Sequence, residues 1–240
     1  DINHRITNLN SYFTYSVYQN ICRSLFEKHK LLFSFILCIK ILQGDNLIDN
    51  LEYRFLLSGI SPHHNNFPMP ETNWLESNVW NDICELGGLS AFHNLPAQFG
   101  NKIQQWREVF DSTDPHERKF PSPCDHLTEL QRLCILRCLR RDKVELAMQR
   151  FIIKYLGDRF VEPPPFDLRI CYNESIPITP LIFVLSSGSD PNKELDILAE
   201  DMNMTDRLKR IALGQGQGKK ASSLIEKGII NGDWVMLQNC

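Results

Sequence analysis

Residues 179–191 read TPLIFVLSSGSDP, and this stretch decides the fold. An unbroken apolar run closed by small polar residues and a proline is typical of a buried strand followed by a turn. A second apolar run, WVML at 234–237, indicates another such strand. Between the two runs the sequence predicts a helix, a strand and a second helix. This order predicts an α/β domain whose parallel sheet is covered by helices.

The turn after the first predicted strand is where a nucleotide-binding domain would place its phosphate loop. Such a loop needs glycines whose N–H groups surround the phosphates, a lysine for their charge, and a Ser or Thr for magnesium. Here a single glycine, Gly188, stands between Ser187 and Ser189. Asp190 would repel phosphate, and Pro191 has no N–H to donate. The sequence therefore predicts a degenerate phosphate loop.

The end of the last predicted strand also lacks the residues of a hydrolytic site. Such a site needs an Asp-Glu pair there, one acid for magnesium and one to activate water. This chain has Gln238 and Asn239 instead. Amides form hydrogen bonds, but they neither balance a cation nor accept a proton at neutral pH. We expect no catalytic residue, no metal ligand and no bound cofactor in this segment.

A glycine-rich stretch, LGQGQGKK at 213–220, resembles a phosphate loop only superficially. The first glycine of that motif would stand where the chain has Leu213, and its Ser or Thr where the chain has Lys220. We interpret the stretch as a loop that ends a strand and starts a helix over 221–230. The alternative is an active P-loop hydrolase with an unusual site that uses Lys219 or Lys193.

Composition excludes several other classes of function. The net charge of −3 and a hydrophobic content of 42% indicate an ordinary globular protein, with no sign of nucleic acid or a membrane as partner. The eight cysteines contain no Cys-x-x-Cys pair, which favours buried thiols in a reducing compartment. The adjacent His63 and His64 point apart on any regular element, so we expect no metal there.

The N-terminal half is predicted to be helical. Apolar residues recur at helical spacing over 2–22, at Ile6, Leu9, Phe13 and Val17. A polar, proline-containing stretch at 111–123 predicts a boundary, which divides the chain into domains at 1–112 and 113–240.

A helix is predicted over 127–141, with Asp125 as its N-cap. Its basic cluster has two open interpretations, a solvated face or a contact with a neighbouring module or with a nucleotide at a module interface. The members of this cluster are Arg132, Arg137, Arg140, Arg141 and Lys143.

Several blocks together resemble a known family. TPLIFVLSSGSDP, LGQGQG and GDWVMLQNC resemble the sixth AAA+ module of dynein heavy chains, and YSVYQNICRSLFEKHKLLFSFIL is similar to the segment after the large part of the fifth module. RCLRRDK at 137–143 fits as well. The blocks cover nearly the whole chain in the right order. Ser187 departs from the proline expected before that glycine, and residues 46–70 match loosely.

The resemblance implies a place in a larger machine. Residues 1–112 would be the small, lid-like part of the fifth module and its connection onward, and residues 113–240 the truncated first part of the large α/β half of the sixth. The missing initiator Met agrees with a piece of a longer polypeptide. The parent chain would be an ATP-driven, minus-end-directed microtubule motor, more similar to axonemal than to cytoplasmic members.

Within that motor the segment would be a structural, non-hydrolysing part of the ring that relays movement. The implied partners are neighbouring AAA+ modules and, through the parent chain, microtubules and dynein intermediate and light chains. ATP and magnesium would belong to the parent chain, located in the cytoplasm at the cytoskeleton of a ciliary or flagellar axoneme. A helical scaffold or adaptor module without motor context is a further alternative.

Overall fold

The computed structural model of the chain describes residues 1–59, 67–163, 165–185 and 188–239. The chain forms two compact units, residues 1–164 and 165–240. Residues 113–163 pack within the first unit, so the compact units do not divide at the predicted boundary after residue 112. The module assignment stays a prediction. His63, His64 and Ser187 lie outside the described residues.

The first unit is helical throughout its described residues, apart from short connections. Single 3-10 turns lie at Ser90–Phe92, Cys124–His126, Arg141–Lys143 and Asp158–Phe160. Its eight described α-helices are α1 Ile2–Cys22, α2 Glu27–Gly44, α3 Asn50–Ser58, α4 Ser77–Leu86, α5 Leu95–Asn101, α6 Ile103–Phe110, α7 Glu129–Leu139 and α8 Val144–Leu156.

The helix predicted from residue 95 or 96 to 110 is divided into α5 and α6 at Lys102. The backbone of Lys102 leaves the helical region, with φ −121° and ψ 29°. The break allows Phe99 and Trp106 to stack with their ring centroids 5.0 Å apart. Trp106 also contacts Phe120 at 5.4 Å. All three rings are almost completely buried, so the aromatic spacing marks core rather than a ligand site.

The predicted N-cap of α7 is wrong. Thr128, not Asp125, caps the helix, because α7 begins at Glu129 and an N-cap must directly precede the first helical residue. Thr128 and Gln131 form a reciprocal capping box. Asp125 instead pairs with Lys119 at 3.3 Å.

The second unit is a small α/β arrangement around two parallel strands. Their register pairs Leu208 with Trp234 and Ala212 with Gln238. The elements in chain order are α9 Leu168–Glu174, α10 Asn192–Asp201, β1 Leu208–Ala212, α11 Gly218–Asn231 and β2 Trp234–Gln238. A parallel pair joined by a helix is consistent with the predicted α/β class.

The first predicted strand is wrong. Residues 180–185 form no strand in the described part of the chain, where β1 and β2 pair only with each other. Ile182 is 81% exposed and Val184 is 72% exposed. Without a neighbouring strand, the backbone of an apolar run has no ladder to join. The predicted α/β fold class is therefore supported only in a coarser form. The chain is largely helical, with a small parallel sheet that is consistent with a P-loop-like domain.

A close contact between α11 and β2 holds the strand pair in place. A Cβ atom on Gly228 would lie 2.9 Å from Val235 Cγ2 and 3.3 Å from the Asp233 carbonyl oxygen. The helix can approach the strand this closely only because the side chain is missing.

Substitution of Gly228 by alanine should therefore destabilise the second unit. Overpacking costs about 1–3 kcal/mol, and alanine returns about 1 kcal/mol of helix propensity, so we expect a net loss of up to about 2 kcal/mol. Chemical unfolding of the two proteins measures the difference. Gly214→Ala is the control, because nothing lies within 4 Å of its added Cβ. A G228A variant as stable as the wild type would contradict this packing.

A buried carboxyl group gives the first unit a pH dependence. Burial raises the pKa of Glu52 above its ordinary 4.5, although a hydrogen bond from Gln131 acts in the opposite direction. Since the folded-state pKa is the higher one, the free energy of unfolding should fall as pH rises from 4.5 through that pKa. Glu52→Gln should flatten this fall, as urea titrations at several pH values would show. Parallel pH profiles for the two proteins would refute the assignment to Glu52.

Candidate functional site

The candidate site lies where β1 and β2 end. Ligands of open parallel α/β sheets bind outside the carboxyl ends of the strands. At this edge the backbone N–H of Leu213, just after β1, donates to the carbonyl oxygen of Gln238 at 2.8 Å. The residues that end β2 and the loop that leaves β1 are thus fixed side by side.

The predicted turn and the predicted strand end meet at this edge through Asn192, the first residue of α10. The side chain of Gln238 donates from Nε2 to Asn192 Oδ1 at 3.0 Å. Asn192 in turn donates from Nδ2 to Asp190 Oδ1 at 2.6 Å and from its backbone N–H to the same oxygen at 2.9 Å. A continuous chain of side chains, the Asp190–Asn192–Gln238 relay, therefore links the turn to the strand end.

The relay places a carboxylate at the N-terminus of α10. The backbone and side-chain hydrogen bonds from Asn192 lower the pKa of Asp190, so the group is ionised at neutral pH. Helix N-termini attract anions because their first N–H groups have no partner within the helix. Here one of those groups already binds a carboxylate of the chain itself, and Pro191 supplies no N–H.

The remaining predicted site residues do not join the relay in the described structure. Gly188 adopts a positive φ of 83°, a conformation that favours glycine, and nothing lies within 4 Å of where its Cβ would be. Ser189 is exposed, and so is Asn239, whose φ is 60°. Ser187 is not among the described residues. The contacts described at this edge therefore involve amides and one carboxylate.

The two lysines that an active P-loop hydrolase would use are exposed. Lys193 lies in the first turn of α10, and Lys219 lies in the first turn of α11. The interpretation of the glycine-rich stretch as a loop is confirmed, because it connects β1 to α11. Its helix begins at Gly218, earlier than predicted. Gly216, with φ 80°, makes the turn within this loop.

The predicted basic cluster extends from α7 into the 3-10 turn after it, and several of its arginines make internal contacts of the first unit. Arg140 donates to the carbonyl oxygens of Phe110 and Ser112, and Arg132 donates to that of Arg118 at 2.6 Å. The cluster also forms ion pairs, among them Arg140–Asp142 at 2.7 Å and Arg141–Asp82 at 2.6 Å. Except for Asp142, these partners are distant in sequence, so residue patterns alone did not indicate them.

No group of three or more His, Cys, Asp or Glu side chains in the described ranges is arranged to hold a metal ion. Among the helices described, none combines the length and the apolar character needed to cross a bilayer. Cys22, Cys38, Cys124, Cys134 and Cys138 are buried free thiols, and burial raises the pKa of Cys38 and Cys134 to about 12.

Comparison with known proteins agrees with the geometry of the second unit. Residues 176–240 match the family model described as "Dynein heavy chain region D6 P-loop domain". The match and the parallel strand pair are consistent with a P-loop-like α/β domain in this part of the chain.

Relatives match the chain over nearly its full length. It is 47% identical over 98% of its length to dynein axonemal heavy chain 12 of Mus musculus, and 44% identical over 98% to dynein axonemal heavy chain 1 of Homo sapiens. It spans only 8% and 6% of these two relatives. The chain belongs to the dynein heavy chain family.

The relay predicts a measurable coupling between Asn192 and Gln238. Their hydrogen bond should contribute about 0.5–1.5 kcal/mol, seen as non-additivity of Asn192→Ala and Gln238→Ala in a double-mutant cycle of unfolding free energies. The matched control pairs Lys193→Ala with Gln238→Ala, because the neighbouring lysine side chain is exposed. Additive effects for the Asn192 pair, or equal coupling in the control, would contradict the relay.

Proposed function

We propose that these residues form a structural, non-hydrolysing part of the AAA+ ring of an axonemal dynein heavy chain, an ATP-driven, minus-end-directed microtubule motor. In this proposal residues 1–112 complete the fifth module, and residues 113–240 begin the sixth. The segment relays movement between neighbouring modules through its packed interfaces. It binds no cofactor itself, whereas the parent chain uses ATP and magnesium.

The observation that carries the proposal is the Asp190–Asn192–Gln238 relay. In an active nucleotide site, a phosphate and its magnesium ion bridge the helix N-terminus and the acidic strand end. Here the two places are bridged by hydrogen bonds between side chains of the chain itself. A connection that needs no ligand would persist through every stage of a nucleotide cycle. Such permanence suits a rigid element that transmits movement between modules.

Electrostatics support the same proposal. An ATP phosphate at the N-terminus of α10 would need the backbone N–H of Asn192 as a hydrogen-bond donor. That N–H already donates to the ionised carboxylate of Asp190. Like charges at hydrogen-bonding distance repel strongly, and the strand end offers amides in place of magnesium-binding acids. Binding would then require both the displacement of Asp190 and a source of positive charge.

The relatives' names supply the cellular setting that we propose. They are called axonemal heavy chains, which favours a ciliary or flagellar axoneme as the location. The proposed partners are the neighbouring AAA+ modules and, through the rest of the chain, microtubules and dynein intermediate and light chains.

Photolabelling of the full-length heavy chain with azido-ATP and magnesium tests the proposal. Peptide mapping should recover no labelled peptide from residues 176–240, and the pattern should be unchanged by Lys193→Ala or Lys219→Ala. Modules elsewhere in the chain that bind ATP serve as the internal positive control.

A saturable, magnesium-dependent label in residues 176–240 that disappears with Lys219→Ala or Lys193→Ala would instead support an active, atypical hydrolase. A full-length chain that takes up no label anywhere would support the helical scaffold alternative. Either result would overturn the proposal.

A further inference from the structure

Helix α1 has apolar residues on two opposite faces. At 3.6 residues per turn, Ile2, Ile6, Leu9, Phe13 and Val17 fall within an arc of about 80°, which we name the outer stripe. Tyr15, Tyr18 and Cys22 lie about 140–180° away from its centre.

The inner face packs against the first unit. Tyr15 and Tyr18 contact the ring of Phe160, with centroids 5.4 and 5.0 Å apart. Arg159 donates to the hydroxyl of Ser11 at 2.6 Å and lies over the ring of Tyr15 at 4.4 Å. Tyr18 and Cys22 are almost completely buried. The inner face therefore accounts for the attachment of α1 at its C-terminal half.

The outer stripe is uncovered in the described structure. Ile2 is 75% exposed, Leu9 54% and Phe13 61%, and every residue from 1 to 13 is exposed. A helical segment of about 12 residues is only marginally stable in water when nothing packs on it. A helix with apolar residues on both faces is typical of a position between two packed layers.

The spacing of the outer stripe indicates a helix as its occupant. The intervals from Ile2 to Ile6, Leu9 and Phe13 are four, three and four residues, the a/d pattern of helices packed side by side. The stripe spans about 23 Å of helix, which one straight helix of similar length would cover.

The residues on either side of the stripe indicate whether that helix belongs to the same chain or to a separate one. Charged residues at flanking positions select partners between separate chains. The polar residues that border the stripe on its two sides are Asn3, Arg5, Asn10 and Ser16, and of these only Arg5 is charged. Association of separate partners also loses translational and rotational freedom, and a shared polypeptide removes much of that cost.

We propose that the outer stripe docks an amphipathic helix supplied by the rest of the same heavy chain. This inference rests on the proposed function, in which the 240 residues belong to a much longer polypeptide. Nucleotide binding plays no part in it, so its test is independent of the photolabelling result.

Hydrogen exchange of the intact heavy chain tests the docking. Amides of residues 2–13 should exchange at least about tenfold more slowly than expected for a partnerless helix end. The pair Ile6→Gln and Phe13→Gln should accelerate that exchange by a similar factor. Tyr12→Gln is the matched control, because Tyr12 is 69% exposed but lies about 60° beyond the nearest edge of the stripe. Fast exchange of these amides in the wild-type heavy chain would overturn the proposal.

A photo-crosslinking residue placed at position 9 identifies the occupant. The proposal requires crosslinks to an apolar helical segment of the same heavy chain, formed independently of protein concentration. Crosslinks to residues 2–17 of a second copy, or to a different polypeptide, would each refute it, as would the absence of any crosslink.

Discussion

The structure of the second unit depends on a hydrogen-bonded connection between a helix N-terminus and a strand end. Asn192 forms this connection, because it donates hydrogen bonds to the carboxylate of Asp190 and accepts one from the side chain of Gln238. In nucleotide-binding sheets the same two places are joined through a bound phosphate and its metal ion. This family member joins them by neutral amides and one internal anion. The proposed loss of nucleotide dependence follows from this substitution.

The helical unit complements this arrangement by firm internal packing. Stacked aromatic rings contribute to its core, and Arg132 in α7 and Arg140, which directly follows α7, bind carbonyl oxygens of nearby loops. Bonds of this kind fix loops to helices over long separations in sequence. A unit held in this way can transmit displacement without deforming, because packed cores respond as rigid bodies. The uncovered outer stripe of α1 is where the proposed contact with the remaining heavy chain would receive that displacement.

The sequence predicted those features that depend on local patterns. The helical period over 2–22, the apolar β2 strand and the loop at 213–217 all appeared where residue spacing placed them. The strand expected at 180–185 failed, since an apolar run becomes a strand only when a neighbouring strand pairs with it. The sequence also supplied both ends of the relay, Asp190 and Gln238. It gave no signal for Asn192 as their link, because that contact depends on how α10 meets the sheet.

A high-resolution structure of the full-length heavy chain with magnesium and ATP tests the central claim most directly. The account predicts that the hydrogen bonds from Gln238 to Asn192 and from Asn192 to Asp190 persist, with no nucleotide at the ends of β1 and β2. A phosphate bound to the backbone N–H of Asn192, with Asp190 displaced and a metal ion beside Gln238, would contradict it.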